Sequence, residues 1–166
     1  AAGDKTARTY GDAEWPTDPG CGRKSDAPAA SSLAQAGGGA IRLDVEGPVV
    51  INGKISSDCT SIGGSGGSVL IVCTTIDGTG TVSACAARGF TSAVGGGGGG
   101  GRIAVHYDPS AQAAKDATCG IAFRACGGYS TEEYLSTWMR MGGPGSLWFS
   151  DARFITAAGY AGHWPF

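Results

Sequence analysis

Apolar and polar residues alternate in short runs through the middle of the chain. Ile41, Leu43 and Val45 form one set, Val69, Ile71 and Cys73 a second, and Ile103, Val105 and Tyr107 a third. Side chains alternate across a β-strand, so each set shares one face. Each run follows a glycine cluster, at 37–39, 63–67 and 95–101. This pattern predicts short strands bent at glycine corners, because glycine takes positive φ and permits close backbone approach. The run at 95–101 also reads as a mobile loop, since ordering seven glycines carries a large entropic cost.

The runs recur at nearly constant spacing. Residues 39–45 and 50–57 make one unit of two strands, and 67–73 and 76–84 make a second. Ile41 matches Val69, Leu43 matches Ile71 and Val45 matches Cys73 at an offset of 28, while Gly53 matches Gly80 and Ile55 matches Val82 at 27. Residues 101–107 repeat the first strand, and 145–150 form a degenerate fourth copy after an insertion. One unit cannot bury its apolar face alone, whereas stacked units bury it in a continuous core. The expected fold is all-β, a solenoid of stacked short strands. Its core stack is expected to hold Ile41, Leu43, Val45, Val69, Ile71, Ile103 and Val105.

Three regions follow. Residues 1–36, with Tyr10, Trp15, Pro16 and Pro19, read as an irregular lead-in that Cys21 staples to the body. Residues 37–107 are the repeat core, and 108–166 a C-terminal extension. Within the extension, 108–128 read as a linker with a strand at 121–125. One helix is predicted at 131–141. Ser130 and Glu133 form its capping box, Tyr134, Leu135, Trp138 and Met141 share one face, and Gly142-Gly143-Pro144 stops it.

Composition narrows the function classes. The chain holds 31 glycines in 166 residues, yet 42 % of it is hydrophobic and its net charge is −2, which argues against a disordered polar tract. Its 12 basic residues form no cluster, so a nucleic-acid partner is not expected. No apolar run reaches the ~18 residues that a membrane span needs. A net charge near zero gives little repulsion and suits a protein that associates. The sequence carries no signal peptide, so it reads as mature or as a fragment. Six cysteines, Cys21, Cys59, Cys73, Cys85, Cys119 and Cys126, include no C-x-x-C pair, and only two histidines accompany them, which disfavours zinc. An even count with a small core points to three disulfides and an oxidising compartment; buried free thiols in a cytosolic protein are the alternative.

The segments Gly38-Gly39-Ala40-Ile41-Arg42-Leu43, Gly66-Gly67-Ser68-Val69-Leu70-Ile71, Gly78-Thr79-Gly80-Thr81-Val82-Ser83-Ala84 and 97–107 recur in a fixed order. Tyr10-Gly11-Asp12 and Pro16-Thr17-Asp18 precede them. Together they resemble the glycine-rich repeat module of giant secreted or cell-surface proteins, over about residues 10–107. The resemblance implies a right-handed parallel β-helix-like, extracellular, repeat-borne architecture with no shared catalytic motif and no cofactor. The chain departs from the module at Asp58-Cys59 and Ala84-Cys85, where the family tends to carry asparagine-glycine turns. Near-equivalent positions on neighbouring rungs, about 4.8 Å apart, would place these cysteines in disulfide range. That implies a Cys59–Cys85 staple. Cys119–Cys126 and Cys21–Cys73 then follow by elimination from fifteen connectivities.

Candidate chemistry is sparse. Gly63-Gly64-Ser65-Gly66-Gly67 matches G-x-S-x-G, but a strand rather than a helix follows it. The run from Gly95 matches G-x-G-x-x-G only trivially. His106 alternates away from Ile103 and Val105 and reads as a solvated surface residue, and His163 as a terminal-loop residue. Asp12, Glu14 and Asp18 form an acidic cluster without any calcium-loop spacing. Adjacent Glu132 and Glu133 suit a helix N-terminus. The leading expectation is a non-catalytic structural subunit at the cell surface or outside the cell. Its partners would be itself or other subunits of an assembly, and Trp164 and Phe166 are candidate contacts. A glycan-binding or adhesion module using Trp15 or Trp148 is the alternative. A polysaccharide-active β-helix enzyme is third, weakened because Arg42, Lys54 and Arg102 are scattered.

Overall fold

A computed structural model describes residues 10–22, 36–89, 97–115, 119–129 and 141–154. Among the described residues the regular elements are nine short strands and one short helix. In order, the elements are β1 (Ala40–Asp44), β2 (Pro48–Val50), β3 (Lys54–Ser56), β4 (Ser68–Val72), β5 (Thr75–Asp77), β6 (Thr81–Ser83), β7 (Arg102–His106), α1 (Pro109–Ala113), β8 (Ala122–Arg124) and β9 (Ser146–Phe149). They form three parallel sheets, ordered β1-β4-β7-β9, β2-β5 and β3-β6-β8. Within each sheet, neighbouring strands come from successive segments of the chain. A segment therefore carries three strands where the periodicity predicts two. The expected strand at 50–57 breaks at 51–53, so Pro48–Val50 and Lys54–Ser56 enter different sheets.

Register follows the repeat. Ile41 pairs with Val69, Val69 with Ile103, and Ile103 with Leu147. Leu43, Ile71, Val105 and Phe149 form the parallel column beside them. The apolar cluster draws on all three sheets, with Val69, Ile71, Ile103 and Val105 from the first, Ile76 from the second and Val82 from the third. These six side chains are fully buried, each contributing about 1.5–3 kcal/mol of transfer free energy. Val45 departs from the expected core, at 39 % exposed. It lies in the first segment, and among the described residues no strand pairs below β1.

Glycines stand in columns beside the first sheet. Ser68 N donates to Gly39 O (3.0 Å), Arg102 N to Gly67 O (2.9 Å) and Ser146 N to Gly101 O (3.0 Å). A Cβ on Gly67, Gly101 or Gly145 would overlap the carbonyl oxygen of the glycine one segment earlier. The same glycines also bond to the end of the preceding strand segment. Gly67 N donates to Ser57 O, Gly101 N to Ala84 O and Gly145 N to Ala125 O, at 2.8–2.9 Å. Within the seven-glycine run, Gly97–Gly101 are thus built into the stack.

Among the described residues the second sheet has two strands, and α1 packs beside β5 where a third would lie. This helix lies within 108–128, where the sequence reading has a linker. Asp108 caps it, with Oδ1 accepting from Ser110 N (2.8 Å) and Ala111 N (3.1 Å), and Pro109 takes the first helical position. The Asp-Pro-Ser signal was there to be read. Buried Gln112 then reaches β5: Ile76 N donates to its Oε1 (2.8 Å), and its Nε2 donates to Ile76 O (2.9 Å). One side-chain amide replaces the backbone bonds of the missing strand. The predicted helix at 131–141 falls, but for Met141, outside the described residues.

Candidate functional surfaces

Residues 10–21 run across the outer face of the first sheet. Leu70 and Ala104 point away from the central cluster yet are fully buried, and this strap covers their side of the sheet. Its backbone carbonyls accept from three outward side chains. Ser68 Oγ donates to Asp18 O (2.5 Å), an Arg102 guanidinium nitrogen donates to Tyr10 O, and His106 Nε2 lies 2.8 Å from Glu14 O. The Arg102 guanidinium also sits 4.9 Å from the centre of the Tyr10 ring, a cation–π contact.

His106 is not a solvated surface residue. Its ring stacks between Trp15, at 3.8 Å between centroids, and Trp148, at 4.3 Å. Alternation correctly put His106 on the outer face, but nothing in the spacing showed that Trp15 and Trp148, 133 residues apart in sequence, would meet there. Trp15 remains 46 % exposed.

The acidic cluster serves this strap. Asp12 Oδ1 accepts from Glu14 N (2.8 Å) and Trp15 N (3.2 Å), and those bonds hold its carboxyl below the ordinary carboxylate range. Asp18 and Glu14 contribute backbone carbonyls, as above. Ser65, the central residue of the G-x-S-x-G match, accepts from Cys21 N at 2.7 Å, which anchors the end of the strap. Among the described residues no group of three or more His, Cys, Asp or Glu could hold a metal, and no helix is long and apolar enough to cross a membrane.

A polar knot ties the first two segments at the third sheet. Asp58 accepts from Lys54 Nζ (3.0 Å), Ser56 Oγ (2.7 Å), Ser83 Oγ (2.9 Å) and Cys85 N (2.7 Å). Burial acts to raise the Asp58 carboxyl, but the donors, led by Cys85 N–H, outweigh it and hold the group below its ordinary 3.8. A depressed carboxylate stabilises the fold above the unfolded-state value, and that contribution is lost as pH falls through the lower folded value. Urea unfolding should therefore show stability dropping as pH falls below 3.8, and Asp58→Asn should lose less over that interval. The site is partly exposed, so the difference is expected to be under about 1 kcal/mol.

The cysteines follow the register rather than the expected pairs. Ser56 pairs with Ser83, 27 residues on, and the ladder continues through Ser57 N to Ser83 O and Cys59 N to Cys85 O. Cys59 and Cys85 are only 26 residues apart, so Asp58 rather than Cys59 stands opposite Cys85. A one-residue offset turns the side chain to the other face. Cys59 Sγ is buried, 3.2 Å from Ala36 O and Ser61 O. The expected Cys59–Cys85 bridge thus lacks a sulfur contact. Cys119 packs against the cluster that contains Cys73, whereas its expected partner Cys126 is exposed and unbridged. Exposed Cys21 is likewise held by its backbone beside Ser65, while Cys73, its expected partner, is buried in that cluster. All six are free thiols in this structure. Trp164 and Phe166, the expected subunit contacts, lie outside the described residues.

Scans against protein-family models, curated proteins and solved structures each found no match.

Proposed function

We propose that this chain is a non-catalytic structural subunit of an extracellular assembly, such as a filament, appendage or cell-surface layer. In this reading it is a right-handed parallel β-helix-like coil that associates end to end. Three parallel sheets around one apolar interior support the coil. The observation that carries the function is the open first segment. Among the described residues β1 and β3 are outer strands of their sheets and β2 pairs with β5 alone, so each presents an edge that can recruit another strand. Ile41, Leu43, Val49 and Ile55 are only partly buried, and Val50 is 61 % exposed, whereas Val69, Ile71, Ile76 and Val82 one segment on are fully buried. Another segment of the same period, supplied by a second copy of the chain, would bury the first as the second buries its neighbour.

Gly39 gives the test. A Cβ on Gly67 or Gly101 meets the segment below, but a Cβ on Gly39 meets nothing within 4 Å. Gly39→Val should leave the melting temperature of the monomer unchanged while blocking a further segment. Sedimentation and electron microscopy should show the wild type associating as concentration rises and the variant remaining monomeric. Wild-type protein that stays dispersed at high concentration would defeat the proposal.

A glycan-binding module is the second reading, favoured by the half-exposed Trp15 ring on its His106–Trp148 platform. Monomeric protein that sediments with cell-wall polysaccharide would support it over assembly.

A further inference from the structure

We propose that Cys85 and Cys126 form a disulfide that clasps the second and third segments together. The register is the first support. Ser83 pairs with Arg124, 41 residues on, and Cys85 and Cys126 are also 41 residues apart. Ala84 N donates to Arg124 O and Ala86 N to Cys126 O, both at 2.8 Å, so the ladder brackets the two cysteines and sets them directly opposite. Directly opposed residues on adjacent strands fall within the Cα separation that a disulfide requires. The second support is the sulfur itself. Cys85 Sγ lies 3.2 Å from Cys126 N, between the two backbones and 3.7 Å from Arg124 O. Ala84 beside it faces the core, while Cys85 is half buried and Cys126 exposed, so both cysteines lie toward the outside.

The reaction is thiol–disulfide exchange with a small disulfide donor. Burial, and then the hydrogen bond shared with Cys126, push the Cys85 thiol up to about 12, so exposed Cys126 is the first nucleophile. Its thiolate attacks one donor sulfur, forms a mixed disulfide and expels the other half as a thiolate. Cys85 then attacks the Cys126 sulfur, closes the clasp and expels the second half. Two protein thiols are oxidised by two electrons, the donor disulfide is reduced to two thiols, and the two protein protons pass to them.

This inference stands apart from the assembly reading, because a monomer can carry the clasp. The full chain is reduced in denaturant, refolded with glutathione and glutathione disulfide, alkylated without reduction, digested and mapped by mass spectrometry. The expected result is a linked peptide pair joining Cys85 to Cys126, lighter by two hydrogens than its parts. Finding Cys85 alkylated, or joined to Cys59 or any other cysteine, overturns the proposal. Thiol counting gives a second measurement. Cys85→Ser and Cys126→Ser should each expose one more alkylatable thiol than the wild type, and the double variant should match the wild type. A count one lower than wild type in both single variants also overturns it.

Discussion

Gly101→Ala is expected to destabilise the protein by about 3 kcal/mol, or to lower its melting temperature by roughly 10 °C. Gly101 sits inside the glycine column, where an added Cβ would overlap Gly67 O and press on the Gly66 carbonyl carbon and Ala84 Cβ. Two of those three atoms are backbone, so no side chain can swing aside. Gly67 O also accepts from Arg102 N, and Gly101 N donates to Ala84 O. Relieving the overlap means parting two segments at the point where both bonds form. Gly53→Ala is the matched control. It meets nothing within 4 Å, so its effect should stay within about 0.5 kcal/mol. Thermal melts followed by circular dichroism would compare the two, and equal losses would show that close approach is not what keeps the column glycine.

Gln112→Ala should cost a similar amount, about 3 kcal/mol, for a different reason. Ile76 is fully buried, and the Gln112 amide satisfies both its N–H and its C=O. Removing the amide leaves a buried donor and a buried acceptor unpaired, at about 1–3 kcal/mol each. Gln112→Glu separates hydrogen bonding from shape. A carboxylate can still accept from Ile76 N–H but places a second acceptor against Ile76 O, whereas a protonated carboxyl can donate there. Its folded-state pKa should therefore lie above the unfolded value. The stability of this variant relative to wild type should rise as pH falls from neutral towards about 4.3. Urea titrations at several pH values would read this directly. A Gln112→Ala protein as stable as wild type would mean that β5 finds its partners elsewhere.

Much of the architecture was legible because the repeat is short and one-dimensional. An offset of 28 between apolar triplets states which residues stack, since parallel pairing in register is how such triplets can share a buried face. The break within each unit was harder to see. Residues 50–57 read as one strand because the turn between Pro48–Val50 and Lys54–Ser56 spans only 51–53. The Cys59–Cys85 expectation missed for a related reason. The offset changes from 28 in the first sheet to 27 in the third, so two cysteines 26 apart look equivalent but are one residue out of step.

By itself the sequence determined the period, the parallel stacking and the need for glycine where successive segments touch, because these depend on local alternation repeated at fixed spacing. Only the tertiary structure decided that Trp15, His106 and Trp148 stack, that Gln112 stands in for a strand, and that Cys85 faces Cys126. Each of those joins parts of the chain whose separation has no relation to the 28-residue period, so no local pattern could announce them.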